Sequence, residues 1–147
     1  MDEIRVGLVG LGPRGLGWLR LLQRIEGYRI VAICDPIVAL HERGLAAISY
    51  RQEVRTYACY EDMLADQKVD SVAMCVRSLH QGALAAQALE AGKHVNAEVP
   101  AAHTLEDCWR IVLAVERTGR VYQLAEQTRY WGFVDAWRDL VAAGRLG

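Results

Sequence analysis

Gly10-Leu11-Gly12-Pro13-Arg14-Gly15 is the stretch that decides the fold of this chain of 147 residues. The apolar run before it, residues 4–9, predicts a buried strand, and the pattern after it, residues 14–25, predicts a helix. Asp35 closes the next apolar run, twenty residues after Gly15. Three glycines at this spacing between a strand and a helix, followed at this distance by an acid, predict a βαβ unit that binds a dinucleotide.

Each residue of this loop has a physical reason for its position. Gly10 permits the tight turn, Gly12 lets a pyrophosphate approach the backbone, and Gly15 lets the helix pack closely on the strand. Pro13 lies at the start of the helix, where its missing N–H costs little and where the positive helix end faces the phosphates. The carboxylate of Asp35 would accept hydrogen bonds from ribose hydroxyls and disfavour a ribose phosphate, which predicts NAD rather than NADP.

The composition excludes several classes of protein. Hydrophobic residues make up 52% of the chain, enough for the core of one domain, and the net charge of -1 offers nothing to nucleic acid or an anionic membrane. No apolar run reaches the roughly 18 residues that a membrane-spanning helix needs. The acidic start Met1-Asp2-Glu3 is unlike a signal peptide, so we expect a cytoplasmic protein.

The cysteines do not form a recognisable metal or disulfide motif. Cys34, Cys59, Cys75 and Cys108 share no Cys-x-x-Cys spacing, and three of them lie in or beside apolar strand-like runs. We therefore expect reduced, buried thiols and no metal site.

Strand-like and helical patterns alternate along the whole chain. The predicted strands are residues 4–9, 29–34, 54–58, 71–76, 94–97 and 121–125. The predicted helices are residues 14–25, 37–48, 60–67, 80–91, 104–118 and 133–143. This alternation predicts an α/β Rossmann fold, a three-layer, doubly wound and mostly parallel sheet of about six strands with helices on both faces.

The residues at the helix ends agree with these assignments. Gly92, Gly119 and Gly144 each follow a helical pattern, where a left-handed cap favours glycine, and Thr104 is a predicted N-cap. Two apolar stripes predict buried helix faces with Trp109 and Trp137 in the core. The stripes consist of Leu105, Trp109, Val112 and Leu113 and of Phe133, Trp137, Leu140 and Val141.

The middle of the chain carries the motifs of a known family. Ala91-Gly92-Lys93-His94-Val95 is followed by Glu98-Val99-Pro100, and residues 68–74 lead into Cys75-Val76-Arg77-Ser78-Leu79-His80. These motifs resemble the nucleotide-binding half of the glucose–fructose oxidoreductase and inositol dehydrogenase (Gfo/Idh/MocA) family over essentially the whole chain. The closing Ala143-Gly144-Arg145-Leu146-Gly147 resembles the point where the first domain of that family passes into its second.

The resemblance implies roles for several residues at the carboxyl edge of the sheet. Glu98 resembles the glutamate that reaches the nicotinamide ribose, and Gln127 would bond the nicotinamide or its ribose. Arg77 either pairs with a phosphate or lies on the solvated surface, and His80 either binds ligand or caps its helix. The predicted cofactor-binding residues are Gly10, Gly12, Pro13, Arg14, Gly15, Asp35, Cys75, Arg77, His80, Glu98 and Gln127.

Other residues concern the substrate rather than the cofactor. Arg129, Tyr130 and Trp131 would face the substrate, or else form a polar loop without a role. Members of the family usually have Glu-Lys-Pro where this chain has Glu98-Val99-Pro100, and the lysine assists proton transfer there. Because Val99 has no proton to move, the catalytic residues are unknown.

The Glu-Val-Pro sequence resembles one branch of the family that includes NAD-dependent glycosidases. Leu105-Glu106-Asp107-Cys108-Trp109, and Glu126-Gln127 with Tyr130, fit the same branch, although Gln127 stands where an asparagine is usual. The resemblance to this branch implies transient oxidation of a sugar, which permits elimination of the glycoside without net redox change.

The resemblance further implies that residues 1–147 form an NAD-binding domain and that the second domain of the family is absent. That domain supplies most of the substrate pocket and the oligomer interface, so we expect no turnover by this chain alone and only weak self-association. Three functions stay open. They are an oxidoreductase acting on a sugar- or cyclitol-like CH–OH group, a redox-assisted glycosidase, and a module that only binds NAD.

Overall fold

The computed structural model describes residues 3–145. Within that range, six parallel strands form one sheet in the order β3-β2-β1-β4-β5-β6. The strands are β1 (Ile4–Val9), β2 (Tyr28–Cys34), β3 (Arg55–Tyr57), β4 (Ser71–Met74), β5 (His94–Ala97) and β6 (Tyr122–Leu124). The helices are α1 (Pro13–Leu22), α2 (His41–Ala46), α3 (Tyr60–Ala65), α4 (Ser78–Glu90), α5 (Leu105–Thr118) and α6 (Gly132–Ala142).

Two cores hold helices against the two faces of the sheet. One core joins the sheet to α3, α4 and α5 through residues such as Met63, Leu89 and Ile111. The other joins it to α1 and α2 through residues such as Leu19 and Ile33. A parallel sheet with helices on both faces and this strand order is the predicted Rossmann fold, which is confirmed, with every strand pair parallel.

The predicted helix ends hold at several points. Gly92, Gly119 and Gly144 have φ values of 79°, 64° and 67°, the left-handed conformation expected of them. The Thr104 hydroxyl accepts a hydrogen bond of 3.1 Å from the backbone N–H of Asp107, which caps α5. These signals are local, so the sequence alone suffices to find them.

The observed bounds of the helices and strands differ most from the predicted bounds where loops begin. The predicted helix at residues 37–48 is a 3₁₀ turn at Val38–Leu40 followed by the shorter α2. Both α1 and α3 end earlier than predicted, whereas α4 begins at Ser78, two residues before the predicted start. Strand β4 ends at Met74 rather than at residue 76, because the chain turns into the loop that lies beside Gly10.

The structure corrects the prediction that two tryptophans belong to the core. Trp109 is 58% exposed and Trp137 is 56% exposed. The rest of both apolar stripes is also exposed, and no residue of α6 is buried. Periodicity detects an apolar helix face but does not show what covers it, and the part of the chain that the structure describes leaves these two faces uncovered.

The prediction of buried cysteines is wrong for part of the set. Cys34 is buried, Cys75 and Cys108 are half-buried, and Cys59 is exposed at the start of α3. Among residues 3–145, no three His, Cys, Asp or Glu side chains lie close enough together to hold a metal ion. No helix in the same range has both the length and the apolar character needed to cross a membrane.

Candidate dinucleotide-binding site

The glycine loop fits tightly between the ends of β2 and β4. Gly10 has a φ of 91°, and its N–H donates a hydrogen bond of 2.9 Å to the carbonyl of Cys34. A Cβ at Gly10 would lie 2.4 Å from the carbonyl oxygen of Cys75, and a Cβ at Gly15 would lie 1.8 Å from that of Gly10. Both positions therefore exclude any larger residue, as the sequence predicts.

Gly12 differs from the other two glycines because open space lies in front of it. A Cβ at Gly12 would meet no atom within 4 Å, and Gly12 is the N-cap of α1 without a capping side chain. Pro13 is the first residue of α1, and the first turn carries no acid. An uncapped, positive helix end that faces open space suits an anion, so the loop fits the pyrophosphate of a dinucleotide.

Asp35 closes the loop from the end of β2. Asp35 is 7% exposed, and its carboxylate accepts hydrogen bonds from the backbone N–H groups of Leu11 (2.8 Å to Oδ2) and Ile37 (2.9 Å to Oδ1). His41, for which the sequence suggests no role, lies with Nε2 at 2.8 Å from the backbone oxygen of Asp35. Each carboxylate oxygen keeps a further lone pair, so the group can hold the loop and still accept from a ribose.

Glu98 lies at the end of β5 and meets two side chains from α1. It is 8% exposed, and its Oε1 accepts a hydrogen bond of 2.6 Å from the indole Nε1–H of Trp18 and another from Nε of Arg14. Arg14 also donates from its guanidinium to Oε1 of Gln127 at 3.3 Å. The structure thus brings Arg14, Glu98 and Gln127 together.

Trp18 is a site residue that the sequence reasoning missed. Arg14 and Trp18 are four residues apart on α1, a spacing that places two side chains on one helix face. That spacing is the signal that would have associated Trp18 with the loop.

Gln81 on α4 is a second missed residue. It is buried, and its amide nitrogen donates to the backbone oxygen of Glu98 and, at 2.6 Å, to that of Pro100. Gln81 therefore holds the turn that carries Glu98 and Val99. No local pattern in the sequence predicts this contact, because it joins α4 to the loop after β5.

Cys75 lies beside the same cluster but has no acid–base role. Burial, together with the nearby Glu98 carboxylate, raises the pKa of the Cys75 thiol to about 12. The thiol is therefore protonated at neutral pH and is no nucleophile. Its backbone carbonyl, which lies against Gly10, is its contribution to the loop.

Other predicted residues are not drawn into the cluster. Arg77 directly precedes α4 and His80 lies in its first turn, both exposed, and neither side chain makes a hydrogen bond within residues 3–145. The guanidinium Nη1 of Arg129 lies 3.9 Å from the carboxylate Oδ1 of Asp135 in α6. Tyr130 is largely exposed, and Trp131 packs edge-on against Phe133 with ring centroids 5.3 Å apart.

A groove of about 800 Å³ lies at the opposite, amino edge of the sheet. Its walls include Arg5 and Asp70, which form an ion pair, and Lys93, whose Nζ donates to the carbonyls of Asp66 and Val69 at 2.9 Å each. Ligands of doubly wound folds bind at the carboxyl ends of the strands. This groove lies at the other ends of the strands, away from the cluster around Glu98.

Comparison with known proteins agrees with the fold. The model of a family described as an oxidoreductase family with an NAD-binding Rossmann fold matches residues 4–126. A glycosyl hydrolase family 109 protein of Shewanella sp. (strain ANA-3) is 38% identical over 136 residues, which is 88% of this chain and 30% of that protein. The chain thus spans about a third of the length of the curated relatives it matches.

Solved structures resemble the chain over nearly its whole length. The WlbA dehydrogenase of Bordetella pertussis, in complex with NADH and UDP-GlcNAcA, superposes with a TM-score of 0.87 at 27% identity, covering 99% of this chain and 44% of that one. The scyllo-inositol dehydrogenase of Lactobacillus casei, with bound NAD(H) and scyllo-inositol, has a TM-score of 0.83 at 22% identity, covering 99% and 43%, a likeness of fold. The chain belongs to the Gfo/Idh/MocA oxidoreductase family, and it has that family's NAD-binding Rossmann fold.

Proposed function

We propose that this chain binds NAD(H) for hydride transfer at a CH–OH carbon of a sugar- or cyclitol-like substrate. The observation that carries the proposal is the convergence of three groups on one edge of the sheet. The uncapped start of α1, the Asp35 carboxylate and the Glu98 carboxylate correspond to the pyrophosphate and the two riboses of a dinucleotide. NAD, when bound, supplies a hydride acceptor for the substrate carbon.

The residues of the chain would bind and orient the cofactor rather than move protons. The N–H groups at the start of α1 would hold the phosphates, and Asp35 would select a ribose without a phosphate. Val99 offers no acid or base, and the Cys75 thiol is held protonated. Proton transfer therefore requires groups other than these, and we assign none.

A redox-assisted glycosidase is the second candidate. It is favoured by the identity of 38% with a protein named for glycosyl hydrolase family 109. The two candidates share the cofactor site and differ in whether the cofactor is reduced at the end of the reaction. An oxidoreductase leaves NADH at the end of turnover, whereas a redox-assisted glycosidase releases a sugar and leaves no NADH.

Cofactor binding is tested at Gly12, where an added methyl group meets only the space assigned to the phosphates. We expect Gly12→Ala to weaken NAD⁺ binding at least about tenfold by calorimetry, while the melting temperature stays within a few degrees. Gly17→Ala is the matched control, because a Cβ there also meets no atom within 4 Å but lies on the exposed side of α1. Equal affinities in both variants would contradict the proposed cofactor position.

The oxidoreductase and the glycosidase are distinguished by an activity assay. The assay uses a longer polypeptide that contains this chain together with the part of the relatives' length that this chain does not cover. An aryl glycoside and the corresponding free sugar are each incubated with NAD⁺. Substrate-dependent NADH supports the oxidoreductase, and release of the aryl group without NADH supports the glycosidase. If NAD⁺ binds and neither NADH nor the aryl group is released, the function that is left is a module that only binds NAD.

A further inference from the structure

Two donors of different character converge on one oxygen of Glu98. Trp18 and Arg14 both donate to Oε1. The other oxygen, Oε2, accepts only a long bond of 3.3 Å from the backbone N–H of Val99 among the described residues. Oε2 is therefore the oxygen that has capacity left for a ligand hydroxyl.

The two donors differ in how freely they can leave. Trp18 is 7% exposed and belongs to the core between α1 and the sheet, so its indole cannot turn away without opening that core. The Arg14 side chain is 51% exposed and already divides its bonds between Glu98 and Gln127. It can leave Glu98 at little cost in packing.

We propose that Trp18 is a positioning residue for the nicotinamide-side ribose, and that Arg14 is the exchangeable partner of the same carboxylate. The indole N–H orients the Glu98 carboxylate, with Oε2 available to a ribose hydroxyl. Arg14 lies beside the start of α1 and turns to the pyrophosphate when a dinucleotide binds. This inference rests on the proposed function, because it needs a dinucleotide at the glycine loop.

The experiment compares NAD⁺ with ADP in the same variant. ADP presents the adenosine ribose and two phosphates to Asp35 and the loop, but it lacks the ribose that Glu98 would bind. In Trp18→Phe, which keeps an aromatic ring and loses the donor, we expect NAD⁺ to bind about tenfold more weakly and ADP to change less than about twofold. Trp109→Phe, on the exposed face of α5, is the matched control and should change neither affinity.

A double variant shows whether the effect passes through Glu98. In a Glu98→Ala background, adding Trp18→Phe should cause no further loss of NAD⁺ affinity, because the indole has no carboxylate to hold. An independent further loss would contradict the proposed coupling. So would an equal loss of NAD⁺ and ADP in Trp18→Phe, since that result would show a packing role for the indole, and so would two unchanged affinities.

A second measurement does not depend on the folding of Trp18→Phe. The indole N–H proton of Trp18 is buried and bonded, whereas the other three tryptophans are exposed, so NMR distinguishes its slow exchange with solvent. We expect this protection to persist in wild-type protein saturated with NAD⁺ and to fall in Glu98→Ala. Loss of protection on NAD⁺ binding would overturn the inference. If the wild-type chain bound neither NAD⁺ nor ADP, the proposed function itself would fail.

Discussion

At the scale of single residues, Asp35 makes structural contacts in addition to the ribose contact that the sequence predicts for it. The sequence indicates a ribose acceptor, and the structure shows the carboxylate bonded to the backbone N–H groups of Leu11 and Ile37. Asp35 therefore also holds the glycine loop against the end of β2. A substitution there removes the loop contacts together with the predicted ribose contact, and a comparison of two cofactors separates the two effects.

We expect Asp35→Ser to weaken NAD⁺ binding by about 1–2 kcal/mol, because hydrogen bonds to the ribose hydroxyls are lost. NADP⁺ should be weakened less, since the negative charge that disfavours a ribose phosphate is also removed. Parallel titrations of both cofactors measure the difference, with Glu42→Gln on the exposed side of α2 as control. Equal weakening of both cofactors would show that Asp35 only shapes the loop.

At the scale of elements, an ion pair between Arg5 and Asp70 joins the starts of β1 and β4. The carboxylate of Asp70 accepts bonds from the backbone N–H of Arg5 at 3.0 Å and from its guanidinium at 2.8 Å and 2.6 Å. These bonds lower the pKa of Asp70 below its ordinary value of 3.8. The Arg5–Asp70 pair lies at the opposite edge of the sheet from the candidate cofactor site, so we expect it to affect stability separately from cofactor binding.

We expect Asp70→Asn to lower the free energy of unfolding at pH 7 by about 1–2 kcal/mol, since the pair is partly exposed. Because the pKa is lowered in the folded state, the ionised carboxylate stabilises the fold above pH 3.8 and loses this effect as the pH falls through its folded pKa. Urea unfolding at several pH values should show the wild type and the variant converging in acid. In Glu53→Gln, a control at the more exposed pair with Arg29, a change of the same size would contradict this account.

At the scale of the whole molecule, the outer faces of α5 and α6 are the unusual feature. Each presents an apolar stripe whose large side chains are exposed. Phe133 packs edge-on against Trp131 and at a tilt against Trp137, with ring centroids 5.3 and 4.7 Å apart. Exposed apolar patches of this kind are typical of surfaces that contact another protein surface or domain.

We expect the 147-residue chain by itself to self-associate weakly through these faces. Sedimentation velocity over a range of concentrations should show a rising mean mass that falls in Trp109→Gln and in Trp137→Gln. Leu21→Gln, an exposed apolar residue of α1 outside both stripes, is the control and should leave the mass unchanged. A single monomer at high concentration would contradict this prediction.

The sequence by itself determined the fold class, the order of the elements and the glycine loop. These depend on local properties, namely the alternation of strand and helix patterns, the caps, and glycine at positions where a side chain would collide with backbone. Asp35 and Glu98 could be singled out because each is an acid at the end of an apolar run.

The tertiary structure decided which side chains surround Glu98 and which helix faces stay exposed. Trp18 and Gln81 reach Glu98 from two helices on opposite faces of the sheet, and no local pattern relates positions so far apart in sequence. Trp109 and Trp137 show the converse case. An apolar stripe on a helix favours burial, but the stripe is buried only where another element packs against it. No element in the described part of the chain packs against these two stripes.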